Sequence, residues 1–319
     1  MFRSFLIYLS KAGWAQRLVV GWKFAWRAAS RFVAGSTISD AIIAVQTLNS
    51  AGINATLDHL GESTSTRAEA TKAADDIIEL LDQINASGVR ANVSVKLTQI
   101  GLALDEILCI QNLERILTRA NELKNFVRID MEDTPYTDQT ISAYREMRAK
   151  GFDNTGIVVQ SYLFRTEKDT RELIKAGACF RLVKGAYKEP PELAFPKKAD
   201  VDANFDLLTQ IMIDSSKASG SPHVSEDGRT PPIPAIGSHD PKRLDFARTY
   251  SEKVGLPKQA IEFQMLFGIR RDLQEQYVKE GYPVRIYVPY GTHWYPYFMR
   301  RLAERPANVW FFISNFFRR

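Results

Sequence analysis

Eight short apolar runs, each followed by a stretch of helical character, constrain this chain more than any other feature. They fall at 53–60, 91–98, 126–132, 156–162, 179–185, 233–238, 261–267 and 284–288. Strands that alternate with helices pair in parallel through right-handed crossovers, and eight such units close into a (β/α)8 barrel of the TIM type. A doubly wound open sheet is the competing architecture. It would carry a glycine-rich nucleotide turn after its first strand, and neither G-x-G-x-x-G nor a P-loop pattern occurs here. A chain of 319 residues could hold two domains, but a single α/β barrel of this size is equally ordinary.

Strands covered on both faces should be apolar almost throughout, so a polar residue late in one needs a reason. Asp58, Lys96, Asp130, Gln160, Arg181 with Lys184, His239, Gln264 and Tyr287 stand at or near the ends of the eight runs. Singly, each has a plain structural role: Lys96 could reach for water, Asp130 could cap a segment, His239 could be a satisfied core histidine, and Gln264 could tie down a loop. Together, at the end of a barrel where active sites lie, they point to a site. In the run at 91–98, Val93, Val95 and Leu97 alternate with Ser94, Lys96 and Thr98. The apolar set meets helices, and the polar set faces the barrel interior.

The eighth strand is expected to end at Pro289 and Gly291, and a helix to run from Pro296 to about Arg305, before Pro306. Tyr297, Arg300, Arg301 and Glu304 follow at i, i+3, i+4 and i+7 and share a face. Two adjacent guanidinium forks can each donate paired hydrogen bonds to a carboxylate or phosphate. Such a helix taken alone reads as a solvated charged face. Set beside the polar strand ends, it reads as an anion clamp.

The net charge of +5 is uneven, because Arg3, Lys11, Arg17, Lys23, Arg27 and Arg31 all precede Asp40, the first acidic residue. The basic character therefore belongs to an N-terminal helical arm, 1–36, ahead of the barrel domain, 37–319, and a nucleic-acid-binding body is not indicated. The arm contains Trp14, Trp22 and Trp26, yet no apolar run approaches the roughly 20 residues of a spanning helix. Lys11, Arg17 and Lys23 also interrupt any secretory core. Packing on the main domain is the first expectation for the arm, and contact with a membrane surface the next. The aromatic tail 309–319 is expected to pack across the barrel. Two cysteines, Cys109 and Cys179, are too few for a disulfide framework and suit a reducing compartment, hence a cytoplasmic location. The stretch 215–234, rich in Ser, Gly and Pro, reads as a mobile loop before the sixth strand.

Val95-Lys96-Leu97-Thr98-Gln99, Arg128-Ile129-Asp130-Met131-Glu132-Asp133, Val159-Gln160-Ser161-Tyr162, Arg181-Leu182-Val183-Lys184-Gly185-Ala186-Tyr187, Ser238-His239-Asp240, Glu262-Phe263-Gln264 and Tyr297-x-x-Arg300-Arg301-x-x-Glu304-Arg305 resemble the motifs of the proline dehydrogenase family, in that family's order, over 53–306. The Arg181 to Tyr187 run and the arginine-pair helix are the specific signals. The resemblance implies a flavin-dependent barrel that begins proline catabolism, with FAD held by Met131, Gln160, Arg181, Val183, Lys184, Gly185, Ala186, Tyr187, Ser238, His239 and Gln264, and no metal. It also implies that the carboxylate of L-proline rests on Arg300, Arg301 and Lys96, in a pocket completed by Asp130, Ala186, Leu266, Tyr287 and Tyr297. Glu62 resembles an acidic lid residue that pairs with Arg300, and Glu304 is placed to orient the same arginine.

The chemistry implied is hydride transfer from proline C5 to flavin N5, giving 1-pyrroline-5-carboxylate. Electrons would pass to a membrane quinone from a barrel peripheral at the inner face, and product to pyrroline-5-carboxylate dehydrogenase by transient contact. Arg181 near the ring would stabilise charge developing on a reduced flavin. Tyr287 stands where hydroxyproline-preferring relatives carry a smaller residue, which favours proline. Against the family pattern, 215–234 is long, and Phe267 and Phe298 replace other apolar residues. The chain ends soon after the last helix, so no fused aldehyde dehydrogenase is expected.

Two other classes compete. A cofactor-free barrel aldolase would use Lys96 or Lys184 as a Schiff-base amine. A membrane-surface interaction protein would rest on the basic, Trp-rich arm.

Overall fold

Eight parallel strands close on themselves in the order β1 to β8, each pairing with its neighbours in sequence and β1 with β8. The computed structural model describes residues 19, 23–61 and 64–304. Most of the arm, Glu62, the Glu304 side chain and the 309–319 tail therefore lie outside the described residues. The strands are β1 (Asn54–His59), β2 (Ala91–Val95), β3 (Val127–Ile129), β4 (Thr155–Gln160), β5 (Phe180–Val183), β6 (Pro234–Gly237), β7 (Glu262–Leu266) and β8 (Val284–Tyr290). Each falls within or overlaps one of the eight apolar runs.

The helices are α1 (Lys23–Ala29), α2 (Ile38–Ser50), α3 (Arg67–Ser87), α4 (Glu106–Glu122), α5 (Thr137–Ala149), α6 (Thr166–Lys175), α7 (Lys198–Ala218), α8 (Pro241–Lys253), α9 (Arg271–Lys279) and α10 (Trp294–Glu304). Their starts are chemically marked. Thr37 and Asp40 form a reciprocal capping box on α2, and Thr66 and Asp105 cap α3 and α4 through their side chains. Outward strand residues such as Val93 and Val95 pack with Ile77, Leu81 and Leu113 of these helices in one continuous core.

Two expectations at the eighth strand need correcting. β8 does not stop at Pro289 but runs through it to Tyr290. The Tyr287 carbonyl accepts from the Phe267 N–H on the β7 side, so Pro289, two residues on, faces the same side beyond the end of β7. Its missing N–H has no strand to serve there, and its carbonyl accepts from Ala34 at 2.9 Å. Likewise α10 begins at Trp294, which puts Pro296 third in the helix. First-turn amides have no intrahelical acceptor, so the proline costs the helix little.

The stretch 215–234 is only in part a loop. α7 continues to Ala218, and 219–233 lies across the N-terminal mouth of the barrel as a plug. The Asn92 amide donates to the Arg229 carbonyl and Arg285 donates to the Gly228 carbonyl, both at 2.7 Å. Its Ser, Gly and Pro content reports irregular backbone; its fixity comes from side chains rising out of distant strands. Gly228 has φ +67°, and a Cβ there would stand 2.4 Å from Asn54 Oδ1.

A smaller apolar cluster caps the opposite mouth. Ala25, Ala29, Phe32 and Val33 pack against Trp294, Phe298 and Leu302, with the Trp26 and Trp294 rings edge to face at 5.5 Å. The described part of the arm thus grips α10.

Gly228→Ala is expected to destabilise the protein by about 2 kcal/mol or more, through both the left-handed backbone and the clash with Asn54. Urea unfolding checks it; an unchanged midpoint would show that the plug contributes nothing to stability.

Candidate active site

Strand alternation sends every other side chain inward, and the inward residues form one hydrogen-bonded column. Lys96 Nζ donates to Asp58 Oδ1 at 2.8 Å and to the Tyr287 hydroxyl at 3.0 Å. That hydroxyl donates to Asp130 Oδ2 at 2.8 Å, and Arg181 Nη1 donates to Asp130 Oδ1 at 2.8 Å. Arg181 Nε donates to Gln264 Oε1 at 2.6 Å, and Gln264 Nε2 donates to Glu262 Oε1 at 2.6 Å. At the base, Arg285 holds both Glu262 oxygens at 2.8 and 3.0 Å. The ionic members, Asp58, Lys96, Asp130, Arg181, Glu262 and Arg285, are each at most 8% exposed. Charges this deep persist only when paired, and here acids and bases match in number.

The column tunes its members. Burial, then Asp130 and Asp58, push the Tyr287 hydroxyl well above its usual 10.0, against Lys96 and Arg181, so it remains a proton donor. Burial pulls the Arg181 guanidinium down from its usual value, and Asp130 opposes that pull.

Above the column a cavity of about 680 Å³ opens at the C-terminal rim. Met131 follows β3, and Gln160 ends β4; the Gln160 amide donates to the Met131 carbonyl at 3.2 Å. Val183 ends β5, and Lys184, Gly185, Ala186 and Tyr187 form the wall beyond it. Gly185 takes φ +109°, and a Cβ there would strike the Tyr162 ring at 2.3 Å, so both backbone and space call for glycine. Ser238 and His239 follow β6, with Leu266 at the end of β7. The Leu266 N–H donates to His239 Nε2 at 2.8 Å, which makes the ring neutral with its proton on Nδ1. From α10, Tyr297, Arg300 and Arg301 close one end, and the Arg301 guanidinium lies 5.1 Å from the Tyr297 ring centroid.

Every described residue expected at the site therefore borders this one cavity, together with Lys96, Asp130, Arg181, Gln264 and Tyr287 of the column. Glu62 and the Glu304 side chain fall outside the described residues. Sequence reading missed the carboxylates that hold Lys184: its ammonium lies 2.5 Å from Asp202 and 2.7 Å from Asp240. Only the fold brings α7 and the β6 loop to it. Glu262 and Arg285 were also missed as parts of the site, although each stands two residues before an inward site residue and so shares its face. Lys96 and Lys184, the amines of the aldolase alternative, both lie in ion pairs with carboxylates.

Fold and cavity define a barrel enzyme whose C-terminal rim carries a trough lined by apolar and polar side chains, with paired arginines among them. A family model described as proline dehydrogenase matches residues 41–313. The chain is 37% identical over 309 residues to proline dehydrogenase 2 of Bacillus subtilis (strain 168), covering 97% of this chain and 96% of that one. It is 40% identical over 294 residues to the proline dehydrogenase of Deinococcus radiodurans, covering 91% and 90%. The chain belongs to the proline dehydrogenase family, and it is an enzyme of the oxidoreductase class. Among solved structures, proline utilization A from Bdellovibrio bacteriovorus, inactivated by N-propargylglycine, is similar with a TM-score of 0.79 and 26% identity over 88% of this chain. The chain spans 33% of that protein's length.

Asp202 and Asp240 supply a pH dependence. Burial raises both carboxyls, but hydrogen bonds from Lys184 and neighbouring positive charge outweigh it, and both titrate below the usual 3.8. A folded-state pKa below the unfolded one contributes stability that is complete above the unfolded value and lost as pH falls through the folded value. Lys184→Met is therefore expected to lower the melting temperature most near neutral pH, with the gap to the parent closing below about pH 4. A melting series across that range checks the sign.

Proposed function

We propose that the barrel oxidises L-proline to 1-pyrroline-5-carboxylate with FAD as its resident acceptor, the first step of proline breakdown toward glutamate. The observation that carries this reading is the continuity of one cavity, from the cationic end at Arg300, Arg301 and Lys96 to the polar trough at Gln160, Lys184 and His239. A small carboxylate suits the cationic end, and an extended heterocycle with a diphosphate suits the trough.

The donor set fits a flavin. Gln160 Oε1 is buried without a hydrogen-bond partner among the described residues, and it borders the cavity. An acceptor so placed answers an imide N–H, which the flavin pyrimidine edge presents. Met131, Val183, Gly185, Ala186 and Tyr187 would line the same trough, with Lys184, Ser238 and His239 offering polar contacts and Arg181 and Gln264 beneath. When bound, FAD supplies a two-electron acceptor for the hydride that leaves proline C5, while the ring nitrogen gives up a proton.

The chain's own residues then act by position and charge. Arg300, Arg301 and Lys96 hold the substrate carboxylate, and Ala186 and Leu266 offer apolar surface to the ring methylenes. Asp130 and the Tyr287 hydroxyl face the amine, and Tyr297 backs Arg301. Glu62 pairs with Arg300 as a lid and Glu304 orients it, both by family resemblance. Because the amine must be neutral at transfer, no strong base is assigned. Electrons leave for a membrane quinone, with the basic arm 1–36 bringing the barrel domain 37–319 to an anionic cytoplasmic-side surface. Among the described residues, no helix is long and apolar enough to cross a membrane. Pyrroline-5-carboxylate dehydrogenase takes the product.

Two measurements test this reading. Purified protein is expected to be yellow and to bleach on anaerobic addition of proline; a colourless, active protein would refute the cofactor. Arg301→Met is expected to raise KM for proline about tenfold or more, with kcat less affected. An unchanged KM removes the carboxylate assignment.

A further inference from the structure

Of the buried ionic groups, Glu262 and Arg285 are given no part in the chemistry above. Both are essentially inaccessible, at 0% and 1% exposure, and they lie at the barrel base. Arg285 is fully engaged: it holds both Glu262 oxygens and donates to the Ala55 carbonyl at 2.8 Å and the Gly228 carbonyl at 2.7 Å. Its charge cancels that of Glu262. The pair therefore adds no net charge to the site above it.

What the pair does supply is direction. An ionised carboxylate only accepts hydrogen bonds, so the carboxamide resting on it must turn its NH2 downward. Gln264 does so, and its oxygen is left facing Arg181 Nε at 2.6 Å. Reversing that amide would set NH2 against N–H at Arg181 and oxygen against oxygen at Glu262, leaving two buried polar contacts repulsive. Arg181 is otherwise held by Asp130 and by Ser94 Oγ, 3.2 Å from both terminal nitrogens. With Gln264 in this orientation every nitrogen of the guanidinium has an acceptor.

We infer that Glu262 is a positioning residue for the reaction: clamped by Arg285 and the 219–233 plug, it sets the orientation of the Gln264 carboxamide and so aligns Arg181 beneath the cofactor. The inference rests on the flavin reading for its effect on catalysis, though not for the orientation itself. Glu262→Gln is a poor test, because its oxygen in the Oε1 position would still accept from both Arg285 Nε and the Gln264 NH2. The joint replacement Glu262→Met with Arg285→Met removes the acceptor without stranding a charge and makes the sharpest test.

The orientation is read first by NMR on protein labelled at glutamine, with the Gln264 side-chain signal assigned by its loss in Gln264→Glu. In the parent, an exchange-protected, downfield-shifted Gln264 amide proton is expected, and in the joint replacement it should disappear. In flavin-loaded enzyme the same change is expected to shift the flavin absorption bands and lower kcat about tenfold, with KM for proline within about twofold, as for supporting partners of a site. Arg285→Lys keeps the carboxylate, so it should lower the melting temperature while sparing the amide signal. If that pair of replacements does not fold, Glu262→Leu with Arg285→Met also removes both charges together and should give the same spectral and kinetic losses. An unchanged amide signal in the joint replacement, or its loss in Arg285→Lys, overturns the inference. An amide that behaves as expected in a chain that binds no flavin leaves the orientation standing and sinks the cofactor reading alone.

Discussion

Opposite charges meeting inside a closed barrel are the constraint on which the rest depends. Asp58, Lys96, Asp130, Arg181, Glu262 and Arg285 occupy an interior that aliphatic side chains could have filled, and each is bearable only beside its partners. Removing one member of a buried pair costs about 3–5 kcal/mol, a large share of the roughly 5–15 kcal/mol that holds a domain together. The strands must therefore keep their register for electrostatic reasons as well as for packing. A slip of one residue would turn each inward charge onto a helix.

This column also explains why the two mouths of the barrel differ. At the base, the 219–233 plug offers backbone carbonyls to Arg285 and Asn92, which satisfies donors that would otherwise be orphaned. At the rim, the polar side chains retain bonding capacity toward the cavity, as the Gln160 oxygen does. One end is saturated and stable; the other is prepared for a ligand.

Much of this was legible in the chain. The barrel could be read because strand and helix alternate eight times, and the rim could be read because polar residues interrupt strands that burial should keep apolar. The arginine pair on α10 could be read as a clamp once its helical spacing was set beside those strand ends. What escaped was whatever depends on chain geometry between distant segments. Asp202 reaches Lys184 from a helix, and nothing in the neighbouring sequence distinguishes it from other helical acids. The plug does not show itself in the sequence, because Ser, Gly and Pro signal irregular backbone and say nothing of the Arg285 side chain that anchors it. Pro289 has the pattern of a terminator, and its tolerance in β8 depends on where β7 happens to stop.

The attachment of α10 has a longer-range consequence. Its apolar face joins a small cluster with Ala25, Ala29, Phe32 and Val33, separate from the main core around the strands. The helix that presents Arg300 and Arg301 can thus be repacked, over generations of substitution, without disturbing the cylinder beneath it. Ligand preference is free to drift through the cap, while the ion-threaded cylinder is inherited nearly intact.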